Sequence, residues 1–406
     1  MINRLNLKLT YIINFSIFIF IILTFFTRNQ EKSVYLRIAI NALIIILILY
    51  YLFKNGVPIH FSFYLIHYYI FILFSVISIF YSQNQTSTIM IVFKMIGIFV
   101  MIFLIGQYIN SNENMKLIFD SYLITSILAA TYYISYIIIN KYYLYVINTN
   151  TTDYFRYLMF NGNNPNDVGI IFSIAVFYLF TKSSFKIRCL KHVLMTVLII
   201  AILFTGSRKA LIALLLLIFI YYYIKSKNKL IILIAITLLL VATAILMTNI
   251  NFLYNMIGWR FVGILSVFSD NALVYESSAN YRYKMIIDGI DLIKSRPWFG
   301  YGLDNFRYEN NLGLSTYSHN NFIEVAVSVG IPGLICYYLF FINLLIQCVK
   351  VDLQRKILIV PILITFLILG FGSVQYREPY IFLFTAQAIA LTIRPICNKP
   401  AIYRLP

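Results

Sequence analysis

The sequence predicts an all-helical, polytopic membrane protein with about twelve transmembrane helices. Three observations predict it. Hydrophobic residues make up 61% of the chain and charged residues only 11%, against roughly a quarter charged in an ordinary soluble domain. Mean hydropathy is +0.84, with 17% aromatic residues. Apolar runs recur along the whole length, most of them near the ~20 residues that a helix needs to cross a bilayer. A soluble enzyme, a secreted disulfide scaffold and a disordered chain are excluded. So is a β-barrel, whose strands would alternate polar and apolar positions. Cys189, Cys336, Cys348 and Cys397 show no CxxC spacing and read as inert thiols.

The runs fall at 11–27, 34–53, 59–81, 89–106, 117–139, 167–181, 189–205, 210–224, 230–248, 321–346, 357–374 and 379–393. The first lacks a small-residue cleavage site and reads as a retained helix rather than a signal peptide. The third carries His60 and His67 on one expected helix face, a pattern that suits packing or hydrogen bonding between helices. Lys94 enters the fourth and either snorkels outward or serves a function. No repeat or linker divides the chain, so residues 1–406 read as one integral-membrane domain.

The one long connection, 249–320, joins the ninth and tenth runs and has its own pattern. Residues 281–296 predict an amphipathic interfacial helix, with Ile286, Ile290 and Ile293 on one face and Lys284, Asp288 and Asp291 on the other. Pro297 stops it. Asp288 and Asp291 then read as ordinary ion-pair partners of Lys284 and Lys294. Arg282 projects from the apolar face, where a cation is costly unless an anion meets it.

Net charge is +18, from 32 Lys and Arg against 14 Asp and Glu. The basic residues are scattered between apolar runs rather than gathered in a stripe, so they point to anionic lipid and topology, not nucleic acid. With the N-terminus inside, the inner segments hold seventeen Lys and Arg and the short outer segments eight. Both termini are therefore expected in the cytoplasm and the long connection outside.

Outer cations run against that bias. Arg208 and Lys209 sit in Thr205-Gly-Ser-Arg-Lys-Ala210, between two spans joined by almost no loop. Two readings stand: both side chains snorkel to headgroups, or Arg208 offers its planar fork to a phosphate. His319, in Tyr317-Ser-His-Asn-Asn321, lies where the long connection meets the tenth span. It reads as an interface residue or as a general base, with amides following it that can hold an imidazole tautomer. Arg156 and the turn Asn161-Gly-Asn-Asn-Pro-Asn-Asp167 read either as a helix start capped by Asn166 or Asp167, or as a sugar-binding loop. There is no D-x-D pair, HExxH or glycine-rich phosphate loop, so neither metal nor nucleotide is expected. An outward pocket of arginines and one histidine suits a lipid-linked diphosphate, a leaving group that needs charge stabilisation more than a proton.

Arg282 opening a short helix, Pro297-Trp-Phe-Gly-Tyr-Gly-Leu-Asp-Asn-Phe306, His319-Asn320 and Gly330-Ile-Pro-Gly333 together resemble the signature region of the O-antigen polymerase and ligase superfamily. Gly206-Ser-Arg208 and Asn164-Pro-Asn166 fit as well. The likeness covers the last half of the chain; the first five spans match only in hydropathy. It implies a GT-C-like membrane glycosyltransferase of the bacterial cytoplasmic membrane, with its site facing the periplasm or cell exterior. Such an enzyme works without metal or cofactor and inverts the anomeric centre. Donor and acceptor would be undecaprenyl-diphosphate-linked glycans, with a flippase and a chain-length regulator as partners. Carried over, Arg208 and Arg282 bind the diphosphate and His319 activates the acceptor. Arg156, Lys209, Asn164, Asn166, Tyr317, Asn320, Glu324 and Arg377 are the further substrate contacts. The chain departs from the family in carrying Ser328 two positions before Gly330, with Glu324 one turn earlier, and Gly372-Ser373 where ligases tend to carry an acid. The expectation is accordingly a Wzy-type polymerase of O-antigen or capsular polysaccharide, with a ligase as the alternative acceptor choice and a lipid or polysaccharide exporter as the alternative class.

Overall fold

The computed structural model describes residues 2–26, 32–112, 114–144, 156, 158–160, 163–182, 187–259, 277–313 and 315–393. The expectations for the C-terminal tail with Cys397, for Asn161 and Gly162, and for residues 260–276 of the long connection lie outside them. The principal described elements are the helices α1 (Ile2–Phe26), α2 (Lys32–Lys54), α3 (Tyr64–Ile77), α4 (Gln85–Ser111), α5 (Leu117–Ile139), α6 (Pro165–Thr181), α7 (Arg188–Phe204), α8 (Arg208–Lys225), α9 (Lys229–Asn249), α10 (Ser277–Ser295), α11 (Phe306–Glu309), α12 (Asn321–Val349), α13 (Leu353–Leu369) and α14 (Pro379–Thr392).

A helix occupies each of the twelve apolar runs. Within α1, α2, α4, α5, α9 and α12 lie the six described segments long and apolar enough to cross a membrane. Three apolar helices are shorter: Tyr64–Phe80, Pro165–Thr181 and Pro379–Thr392. Two of these, α6 and α14, are buried along nearly their whole length. By contrast, none of the described residues in the apolar window of α9 is buried, and only a stripe through Ile232, Ile236, Thr243 and Met247 is half-buried. Small residues let the inner helices approach closely. A Cβ on Gly169 of α6 would lie 2.6 Å from that of Ala210 in α8, and Ser173 donates to the Ala210 carbonyl across the same contact.

Local chemistry fixes the helix starts. Asn84, Ser207, Asn228 and Asp352 each accept a backbone amide in the first turn of the following helix. The cap of α6 is Asn164, not Asn166 or Asp167: Pro165 occupies the first helical position, where its missing N–H costs nothing, and the Asn164 side chain accepts from the Asn166 amide. His60 precedes α3 instead of sharing a face with His67; its backbone exchanges hydrogen bonds with the Gln107 amide.

The contacts sort the helix ends into two sets. Asn6 meets Asn55, Tyr64 meets Thr392, and Lys182 pairs with Asp120, all at one end of the bundle. The end of α3, the starts of α4, α6, α8, α12 and α14, and the ends of α7 and α13 gather at the other. These are the two sets that strict alternation of the apolar runs requires.

Helix α10 corrects the expected amphipathic pattern. Its buried stripe is Met285, Asp288, Gly289 and Leu292, while Ile290 is exposed. It lies against α12: a Cβ on Gly289 would fall 2.2 Å from Ile323. Asp288 is therefore inside rather than on the solvated face, and accepts the backbone and side-chain amides of Asn311. Only Asp291 pairs as expected, with Lys294. The shift leaves Arg282 on the packed side, three residues before Met285 and seven before Gly289.

Candidate functional site

A break in α12 builds the site's floor. Gly330 has φ 75° and ψ 176°, interrupting the helix two residues before Pro332. The carbonyls of Val327 and Ser328 are thereby released, and they accept the amides of Tyr301 and Gly302; the amide of Ile331 donates to Pro297. The Pro297–Gly302 segment thus fills the break with its own backbone. Both glycines are required by contact: a Cβ on Gly330 would fall 2.3 Å from the Trp298 carbonyl oxygen, and one on Gly300 2.4 Å from that of Val327. The following residues knit this segment to α3 and α4. Asn305 accepts the Asn84 amide and donates to Thr88, and Asp304 accepts from Ser87.

The histidine turn sits on this floor. Asn320 caps α12, accepting the amides of Phe322 and Ile323, and Asn321 accepts the amides of Gln375 and Tyr376. Their side-chain oxygens are thus committed to backbone and not to orienting an imidazole. Glu324, buried in the first turn of α12, accepts the Ser318 amide at 2.7 Å. His319 itself has φ 58°, a left-handed conformation uncommon for a residue with a Cβ. Its ring lies 4.4 Å from that of Tyr317, centroid to centroid. The Arg377 guanidinium lies over the Tyr317 ring, 5.1 Å from its centroid. Arg377 donates to Asp304 at 2.9 Å, and Arg307 reaches the same oxygen at 2.6 Å.

Cations from two other segments act on this turn, Arg282 and Lys209. Arg156, almost fully buried, donates Nε–H to the Thr205 carbonyl at the end of α7 and Nη2–H to Asn166, which also accepts from Ser207. These bonds shape the Gly206-Ser207 corner that presents Arg208 and Lys209. Lys209 donates to the Gly372 carbonyl just past α13. The charges of Arg282, Asp167, Arg208 and Arg156 all act on Lys209. Those of Arg282 and Lys209 act on His319. Burial and these cations together push the imidazole down to about 3, so it is neutral near pH 7.

The candidates from the sequence thus separate into two kinds. Arg208, Arg282 and Arg156 act electrostatically on Lys209, and Arg282 and Lys209 act on His319. Asn164, Asn166 and Asn320 shape helix starts around it, while Tyr317, Glu324 and Arg377 surround the histidine turn. Lys94 is exposed on α4. Two carboxylates were missed. Asp304, buried at φ 62°, joins Arg377, Arg307 and Ser87. Asp167, first read only as a possible cap, belongs to the cation cluster. The Leu303-Asp304-Asn305 stretch between two tight turns was the available signal for the first. Among the described residues, no three His, Cys, Asp or Glu side chains gather as metal ligands.

Residues 193–338 match the family model described as O-antigen ligase. The match takes in Arg208, Lys209, Arg282, Tyr317, His319, Asn320 and Glu324, and leaves out Arg156 and Arg377. No curated protein matches the chain.

Proposed function

We propose that this protein is a membrane glycosyltransferase that polymerises polyprenyl-diphosphate-linked repeat units of an O-antigen or capsular polysaccharide. One observation carries it: the charges of Arg208 and Arg282 act on Lys209, those of Arg282 and Lys209 act on His319, and all four residues lie within the segment that matches the O-antigen ligase family model. The excess of Lys and Arg at the opposite ends of the helices supports a reading with this end on the outer side of the cytoplasmic membrane and both termini inside.

In the reaction, Arg208 and Arg282 hold the diphosphate of the donor. A guanidinium presents two parallel donors to phosphate oxygens, which suits a leaving group that gains charge as it departs. The bond from the anomeric carbon to the phosphate oxygen breaks and its electron pair stays with the lipid diphosphate. The acceptor hydroxyl attacks from the opposite face, inverting the centre, and its proton passes to His319. Burial first, and then the charges of Arg282 and Lys209, keep His319 neutral and make it a weak base. A bound diphosphate would offset the charges of Arg282 and Lys209, and so raise the basicity of the imidazole while donor is present.

The ligase alternative shares donor and residues and differs in acceptor; the description of the matched family favours keeping it. Disrupting the gene separates them. Loss of a polymerase leaves single repeat units attached to their final acceptor, whereas loss of a ligase leaves long polymer on the carrier lipid. Elongation of lipid-linked oligosaccharide by the purified protein supports the enzyme over an exporter, and failure under conditions that keep it folded argues against the proposal.

A further inference from the structure

We propose that Glu324 and Arg377 are positioning residues for His319, Glu324 through the Ser318 amide and Arg377, braced by Asp304, through the Tyr317 ring. This rests on the role given to His319 above. Three separate contacts converge on the turn. The Glu324 carboxylate, buried within α12, is spent on a backbone amide one residue before the histidine. Ser318 closes the same turn from the other side by donating its hydroxyl to the Asn320 carbonyl at 2.9 Å. On the flank, a chain of contacts runs from the buried Asp304 carboxylate through Arg377 to Tyr317, whose ring lies tilted against that of His319. A left-handed residue with a Cβ persists only where its surroundings over-determine it, and His319 at φ 58° is held this way from both sides. Both side chains were expected to touch substrate; their partners here are protein groups that fix where the imidazole points.

The chemistry separates positioning from direct participation. Glu324→Gln keeps an oxygen able to accept the Ser318 amide and loses only the charge. Glu324→Ala loses the acceptor. Arg377→Met keeps packing against Tyr317 and releases the guanidinium from Asp304. The test is acylation of His319 by diethyl pyrocarbonate in detergent-purified protein, followed by mass spectrometry, with His60, His67 and His192 as internal references. Initial-rate kinetics on lipid-linked oligosaccharide run in parallel. We expect His319 to acylate faster in Glu324→Ala and Arg377→Met while the three references are unchanged. In those variants kcat falls about a hundredfold with KM nearly constant, the scale set by misplacing a catalytic group by about 1 Å. Glu324→Gln restores both measurements. Unchanged His319 acylation in both disruptive variants overturns the proposal, as does a Glu324→Gln variant as impaired as Glu324→Ala. Should acylation respond as expected while His319→Ala still elongates glycan, the positioning stands and the general-base assignment falls.

Discussion

The backbone amide of Tyr301 donates to the carbonyl of Val327 at 2.8 Å, joining the long connection to the inside of a membrane helix. A regular helix has no such acceptor to give, because its interior carbonyls are used four residues on. The Gly330 break supplies it, and the Pro297–Gly302 backbone occupies the opening. The two glycine motifs of the sequence, far apart in the chain, are therefore one structural device.

Gly330→Ala and Gly300→Ala should each destabilise the protein by about 2–4 kcal/mol, since a positive φ and a contact below 3 Å with backbone leave the new methyl no place to go. Gly313→Ala is the control. Its φ is also positive, but the methyl meets nothing within 4 Å, so only the conformational cost of about 1 kcal/mol applies. Thermal unfolding in detergent measures the difference.

Arg208→Lys and Arg282→Lys should each lower glycan elongation by about a hundredfold or more while leaving the unfolding temperature unchanged. An ammonium keeps the charge but not the two-pronged contact. Wild-type activity in both would leave the arginines as headgroup anchors.

Acid should weaken the fold through His319. Its folded pKa is about 3 against 6.5 for an ordinary imidazole. Between these values the unfolded chain binds a proton that the folded one refuses, so stability is full above about pH 6.5 and declines as pH falls toward 3. His319→Asn should flatten the unfolding temperature between pH 7 and pH 5. An identical decline in that variant would place the sensitivity elsewhere.

Asp304→Ala should cost about 3 kcal/mol, because it strands two partly buried arginines. Asp291→Ala breaks an ion pair of two largely exposed side chains and should fall within about 0.5 kcal/mol of wild type. Denaturant titration of the two variants side by side reads the contrast.

Much of this was legible in the sequence, for reasons of range. A twenty-residue apolar run specifies a helix locally, and Arg208 stood out because it opposed the charge bias around it. The span count was harder to read: α6 and α14 are short and buried, so neither has the length that marks a lipid-exposed crossing. The face of α10 was misjudged because its buried stripe includes Asp288, whose partner Asn311 lies 23 residues away. Asp304 was missed for the same reason: its meaning comes from Arg377 and Ser87, distant in the chain and invisible to any periodicity. Glu324 was noticed, but its bond to the Ser318 amide could come only from the shape of the turn.

The most direct measurement is a structure of the protein with a polyprenyl diphosphate bound in a lipid nanodisc. The account predicts phosphate oxygens about 3 Å from the guanidinium nitrogens of both Arg208 and Arg282, with the His319 ring facing the space where an acceptor hydroxyl would stand. A diphosphate held by other residues, or at the end of the bundle that carries Asn55 and Thr392, would contradict it.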